Sequence, residues 1–218
     1  MTKTVRFILD NGHTYHSWND FKLVRSSKTI GSAEVKKEMI NVAGADGSLD
    51  LTDFFGEPRF SNRTITLEFT TIKSEIEWLD VYSQIQNAIN GRKVKLILDE
   101  EPDYYYIGRC QVNDWLSEEG IGKVVVELDC QPWKYKQYIT EYSINVSTAE
   151  TLTCRNMRKS VVPEITTDAE LRMTFNNITH VMNAGTHRFT DFVFKEGDNV
   201  VSLYGNCHVT ITYQEGGL

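Results

Sequence analysis

No stretch of the 218-residue chain approaches the length of apolar sequence that a membrane helix requires. The first ten residues hold one short apolar strand rather than the longer apolar core of a signal peptide. We therefore expect a soluble protein that is made inside a cell and does not insert into a membrane.

Runs of basic residues are also missing. The chain has 23 Lys and Arg against 30 Asp and Glu, a formal charge of −7. Duplex binding draws on clustered cations that displace counterions from the phosphates. The charge balance therefore disfavours a protein that binds nucleic acid in a sequence-specific way.

Cysteine is scarce and scattered. Cys110, Cys130, Cys154 and Cys207 form no Cys-x-x-Cys pair, and no His spacing suits zinc. Each lies in an apolar strand pattern, so we expect buried, reduced thiols that act as small hydrophobes, and no metal site.

Catalytic and cofactor motifs are absent as well. The sequence has no Gly-x-Ser-x-Gly and no Cys/His arrangement for a nucleophile. Asp46, Ser48, Asp50 and Glu57 have partial calcium-loop spacing, but Leu51 stands where the sharp turn demands Gly. Residues 44–47 lack the Lys-Ser/Thr pair of a phosphate loop. We predict no catalytic residue, no cofactor and no enzymatic activity.

Alternating apolar and polar residues predict a mainly β protein of two domains. In residues 1–136 we expect a β-sandwich with one helix. The apolar set of that helix is Trp78, Leu79, Tyr82, Ile85 and Ile89, with Ser74 and Glu77 at capping-box spacing and Gly91 as the C-cap. In residues 137–218 short strands and plain turns predict a small sandwich of galectin-like or jelly-roll type.

The most informative stretch is residues 41–63, which we interpret as a long loop between two strands. Gly44, Asp46, Gly47, Gly56 and Pro58 indicate repeated turns. The same stretch carries residues that favour burial against another surface: Leu49, Leu51, Phe54 and Phe55, with Arg59 nearby. Long connections in a compact domain are usually functional or disordered, and this apolar content argues against disorder. We predict a contact loop, with an apolar plug for the loop's own domain as the alternative.

Several sequence blocks together resemble the distal tail protein (Dit) family of siphovirus-type bacteriophages. They are residues 42–52 (VAGADGSLDLT), 60–64 (FSNRT), 104–109 (YYYIGR), 130–135 (CQPWKY) and, more loosely, 162–165 (VPEI) and 196–200 (EGDNV). Ala43 and Ala45 depart from the family, which usually has Pro and Arg at these places. The turn is left intact, but a charge that could contact a neighbour is lost.

This resemblance implies a structural virion protein at the distal end of the tail rather than an enzyme. The family forms homohexameric rings that join the tail tube protein to the tail-associated fibre or lysin protein. Its outward-pointing galectin-like domain docks receptor-binding or baseplate proteins. The implied location is the virion tail tip, after assembly in the cytoplasm of the bacterial host.

A carbohydrate-binding module is the alternative function, because small β-sandwiches often bind sugars. Such sites commonly present an exposed aromatic plane beside polar groups. All four Trp residues precede the second domain, so Tyr204, next to a Gly-Asn turn, is the stacking candidate. The alternative for Tyr204 is a place in the core or at its rim.

Overall fold

The computed structural model describes residues 3–54, 56–71, 73–118 and 120–218. It is mainly β, as the alternation of the sequence predicts. The chain divides into two compact units, Met1–Lys134 and Tyr135–Leu218.

The first unit begins with β1 (Val5–Leu9), β2 (Thr14–His16), α1 (Ser17–Phe21) and β3 (Leu23–Ile30). It continues with β4 (Met39–Asn41), β5 (Ser48–Asp50), β6 (Arg63–Thr71), a 3₁₀ turn (Glu75–Glu77) and α2 (Trp78–Ile89). The strands β7 (Lys93–Leu98), β8 (Tyr104–Glu118) and β9 (Ile121–Lys136) follow, and β9 crosses the unit boundary.

The main sheet of this unit has the strand order β2-β1-β7-β8-β9-β6-β3. Inward residues alternate along its strands, so that Ile65, Leu67 and Phe69 of β6 are fully buried. The backbone N–H of Arg25 in β3 donates to the carbonyl of Lys3, just before β1, at 3.0 Å. The sheet therefore curls until its β3 edge meets the start of β1, and the core lies inside the curl.

Helix α2 contributes its apolar stripe to the same core. Val81, Ile85, Ala88 and Ile89 are buried, whereas Leu79 is 72% exposed. The sequence counted Leu79 in the apolar set that we expected to lie on the sheet, and for Leu79 this prediction is wrong. Leu79 lies about 100° around the helix from Trp78, and Val81 occupies the buried side instead.

The ends of α2 follow the sequence signals only in part. Ser74 Oγ donates to Glu77 Oε2 at 2.9 Å, so the predicted pair is formed. It closes the 3₁₀ turn, however, and Glu77, the N-cap of α2, makes no side-chain capping bond. The C-cap is Asn90, and Gly91, which the sequence predicted as the C-cap, follows it in the left-handed conformation at φ +71°.

The described part of the chain contains a second helix, α1, in addition to the one helix that the sequence predicted. Its N-cap is His16, whose Nδ1 accepts from the N–H of Trp18 and of Asn19. Lys22 ends the helix in the left-handed conformation at φ +57°. Neither residue is a usual signal for a helix end.

The second unit, all of whose residues are described, is a sandwich of two antiparallel sheets. Its strands are β10 (Thr140–Val146), β11 (Ala149–Asn156), β12 (Glu164–Thr167), β13 (Leu171–Phe175), β14 (Ile178–Met182), β15 (Gly185–His187), β16 (Gly197–Gly205), β17 (Cys207–Tyr213) and β18 (Gly216–Gly217). The sheet orders are β10-β17-β12-β15 and β11-β16-β13-β14. Between them lies a core that includes Phe192, Phe194, Met173, Leu203 and Ile211.

Candidate functional site: an exposed apolar arm

The described residues between 31 and 62 leave the main sheet between β3 and β6 and form a hairpin, which we call the arm. At its base Gly31 N donates to Thr64 O at 2.8 Å, and further out Lys36 N donates to Arg59 O at 2.8 Å. The strands β4 and β5 pair near its tip, with Ile40 opposite Leu49. The predicted long loop is therefore a ladder of backbone hydrogen bonds with two short strands.

Glycines turn the arm at the places that the sequence indicated. Gly44 and Gly47 have φ of +82° and +76° around the exposed tip residue Asp46, and Gly56 has φ of +105°. These values lie in the left-handed region that Gly adopts at little cost. Pro58 follows in the returning segment and is partly buried.

Large apolar side chains of the arm are exposed. Leu49 is 54% exposed and Phe54 is 71% exposed, whereas Leu51 is partly buried. Arg59 is exposed, and Phe55 lies outside the described residues. For these five residues a contact role stays a prediction.

The arm also exposes apolar residues that the predicted contact set omitted. Met39, Ile40 and Val42 are each about half exposed, at 52%, 50% and 48%. In the sequence they appear as part of the strand that leads into the loop. Their signal was the run Met39-Ile40-Asn41-Val42, which places apolar residues on both faces of one strand.

The arm carries both acidic and basic side chains. The Asp50 carboxylate accepts from Thr52 N at 2.9 Å, and hydrogen bonds from Thr52 lower the pKa of Asp50. Among the described residues, no three His, Cys, Asp or Glu side chains converge on a position that could hold a metal ion. The exposed part of the arm presents apolar side chains, mixed charges and the backbone of two short strands.

The acidic turn between β7 and β8 is tied to the body of the first unit. Glu100 pairs with the buried Arg25 and lies 3.6 Å from Lys28, and Glu101 pairs with Lys134 at 3.0 Å. Burial alone would raise the pKa of Glu100, but the hydrogen bond and charge of Arg25 hold this pKa below its ordinary value. The turn is a structural anchor as well as a solvated tip.

The cysteines are buried and unpaired, as predicted. Burial raises the pKa of Cys110, Cys130 and Cys154 to about 12. A thiol with so high a pKa holds almost no thiolate at neutral pH, so these three side chains are poor nucleophiles.

Tyr204 lies on the outer face of the sheet β11-β16-β13-β14, where it is 38% exposed. The guanidinium carbon of Arg172 lies 4.8 Å from the centre of its ring. One ring face is therefore occupied by a cation–π contact, which leaves the other for any ligand. Sugar stacking on Tyr204 stays a prediction.

Comparison with solved structures finds a similar fold in a phage protein. The crystal structure of the SPP1 Dit (gp 19.1) protein, described as a paradigm of the hub adsorption apparatus in Gram-positive infecting phages, matches with a TM-score of 0.68. The match covers 100% of both chains at 17% sequence identity. At the level of fold, the structure confirms the resemblance drawn from the sequence.

No protein-family model and no curated protein matches the chain. The likeness thus rests on the arrangement of the elements rather than on sequence. None of the helices in the described residues is long and apolar enough to cross a membrane.

Proposed function

We propose that the chain is a structural protein of the distal end of a phage tail, where copies of it form a hexameric ring. The observation that carries this proposal is the shared fold, which extends over the whole of this chain and of the Dit protein. A likeness restricted to one unit would support only a common sandwich domain.

The arm supplies a means of assembly. Ile40 and Leu49 are opposite each other on the hairpin, so their exposed side chains lie on one face of it. Complete burial of one such side chain is worth about 1.5–3 kcal/mol. In a ring the arm of one copy contacts a different surface of the next copy. When this contact is repeated, the ring closes if the rotation between successive copies is a whole fraction of a full turn.

The partners follow from the resemblance to the Dit family. The ring joins the tail tube protein to the tail-associated fibre or lysin protein, and the second unit docks receptor-binding or baseplate proteins. The site of action is the virion tail tip, after assembly in the host cytoplasm. The formal charge of −7 suits a ring whose channel passes DNA, because an acidic surface does not retain phosphates.

Electron microscopy of the purified chain, alone and mixed with tail tube protein, tests the proposal. We expect six-fold rings in at least one of these samples. The acidic-channel idea has its own test in the assembled ring, where a strongly electropositive channel would contradict it.

A further inference from the structure

A pocket of about 390 Å³ opens in the second unit, and Tyr204 is not part of its lining. Its lining includes Ile139, Lys159, Ser160, Glu164, Arg188 and Gln214. A volume of this size admits one sugar ring or a molecule of similar size. All of its residues belong to the described part of the chain.

Two cations line this pocket without an ion-pair partner among the described residues: Lys159 and Arg188. Arg188 is held at the rim, because its Nη2 donates to Val162 O at 3.2 Å. Lys159 is partly buried, and its Nζ lies 5.7 Å from the centre of the Tyr135 ring. Burial lowers the pKa of Lys159 because the ammonium has lost part of its hydration.

A carboxylate would compensate both cations. Arg binds carboxylates through paired N–H donors, and a partly desolvated ammonium gains more from an anion than one in open water does. The shape and charge of the pocket therefore favour a ligand that carries a carboxylate.

The rest of the lining favours a sugar over a simple acid. Ser160 and Thr212 supply hydroxyls, and the Gln214 amide is fixed by donation from its Nε2 to Lys136 O at 2.6 Å. Ile139 and Val162 supply apolar surface for the C–H face of a ring. Glu164 can accept from ligand hydroxyls but repels a second carboxylate.

We propose that this pocket binds a single sugar ring that carries a carboxylate. Arg188 and Lys159 receive the carboxylate, while Glu164 and Ser160 contact the ring hydroxyls. The site requires only the second unit, so it does not depend on ring formation.

The test is a calorimetric and NMR titration of the full chain with galacturonate, galactose and N-acetylglutamate. We expect galacturonate to bind. Galactose lacks the carboxylate and should bind at least about tenfold more weakly, the loss that removal of a charged hydrogen bond brings. N-acetylglutamate keeps a carboxylate but lacks the ring hydroxyls, and its second carboxylate is repelled by Glu164, so it should also bind at least about tenfold more weakly. Equal binding of galactose would overturn the carboxylate assignment. Equal binding of N-acetylglutamate would overturn the sugar assignment, and a lack of galacturonate binding would overturn the proposal.

Variants locate the site. Arg188→Ala should weaken galacturonate binding about 10- to 100-fold, and Arg188→Lys should weaken it less because the charge is kept. Arg172→Ala, on the outer face of the other sheet, is the matched control and should leave binding unchanged. Loss of binding in Arg172→Ala with retention in Arg188→Ala would move the site to the Tyr204 face and overturn the proposal. Unchanged NMR dispersion confirms that each variant is folded.

Discussion

The arm of the first unit and the strands of the second unit are both antiparallel, yet they bury their residues in opposite ways. Along β17 every second residue is buried, whereas all residues of β4 and β5 are exposed. Both segments carry large apolar side chains. Alternating burial indicates a strand that stabilises its own domain. The exposed apolar residues of β4 and β5 do not stabilise their domain in this way, and the proposed contact between copies rests on them.

The largest expected effect is in the sandwich. Phe194 is fully buried and packs edge-on against Phe175 and Tyr213, with ring centres 5.2 and 5.4 Å apart. Phe194→Ala should lower the free energy of unfolding of the second unit by about 3–5 kcal/mol. Phe54→Ala, the same change on the arm, should cost less than about 0.5 kcal/mol. Urea denaturation of the two variants measures the difference, and equal losses would make Phe54 an ordinary core residue.

For association between copies we expect the opposite order, with a larger effect from the arm than from the second unit. Leu49→Ala combined with Phe54→Ala should weaken association by at least about 2 kcal/mol, because both side chains are assigned to the contact. Mass photometry over a range of concentrations measures this loss. Val181→Ala is the matched control, since Val181 is 62% exposed on β14 of the second unit. If the control weakened association as much as the arm variant did, the arm would have no special role.

A smaller effect is expected from the turn at the tip of the arm. Gly47→Ala forces a side chain into a left-handed backbone at φ +76°, at a cost of about 1–2 kcal/mol. The loss should appear in local hydrogen exchange of the β4–β5 amides and leave global unfolding unchanged. Ala45→Ser, in the same turn, should have little effect. Faster exchange throughout the first unit would show that the tip is coupled to the core.

The smallest effect concerns pH. The pKa of Glu100 is lowered on folding, so its stabilising contribution is complete above the ordinary value of 4.5 and is lost as pH falls through the folded pKa. Glu100→Gln should therefore flatten the dependence of unfolding free energy on pH below about 4.5. Asp50→Asn on the arm should change it less, because solvent screens a fully exposed carboxylate. If unfolding free energy depended on pH equally in both variants, the acidic turn at Glu100 would not differ from the arm in this respect.

The sequence predicted much of the fold because the side-chain periodicity of buried strands and of α2 is regular. It missed α1, whose His16 cap and left-handed Lys22 are not standard signals, and it placed Leu79 on the wrong side of α2. For the arm, the glycine turns were readable because a left-handed backbone strongly favours Gly. The pairing of Ile40 with Leu49 was not readable, because an exposed hairpin has no one-sided burial to fix its register.

We propose that the arm makes the contact between copies in a ring. Cryo-electron microscopy of the assembly, prepared with tail tube protein if the chain alone stays monomeric, can show this contact. We predict a six-fold ring in which Leu49 and Phe54 of each copy are buried against the next copy. A ring in which both residues remain in solvent, or monomers at every concentration and with every partner, would contradict it.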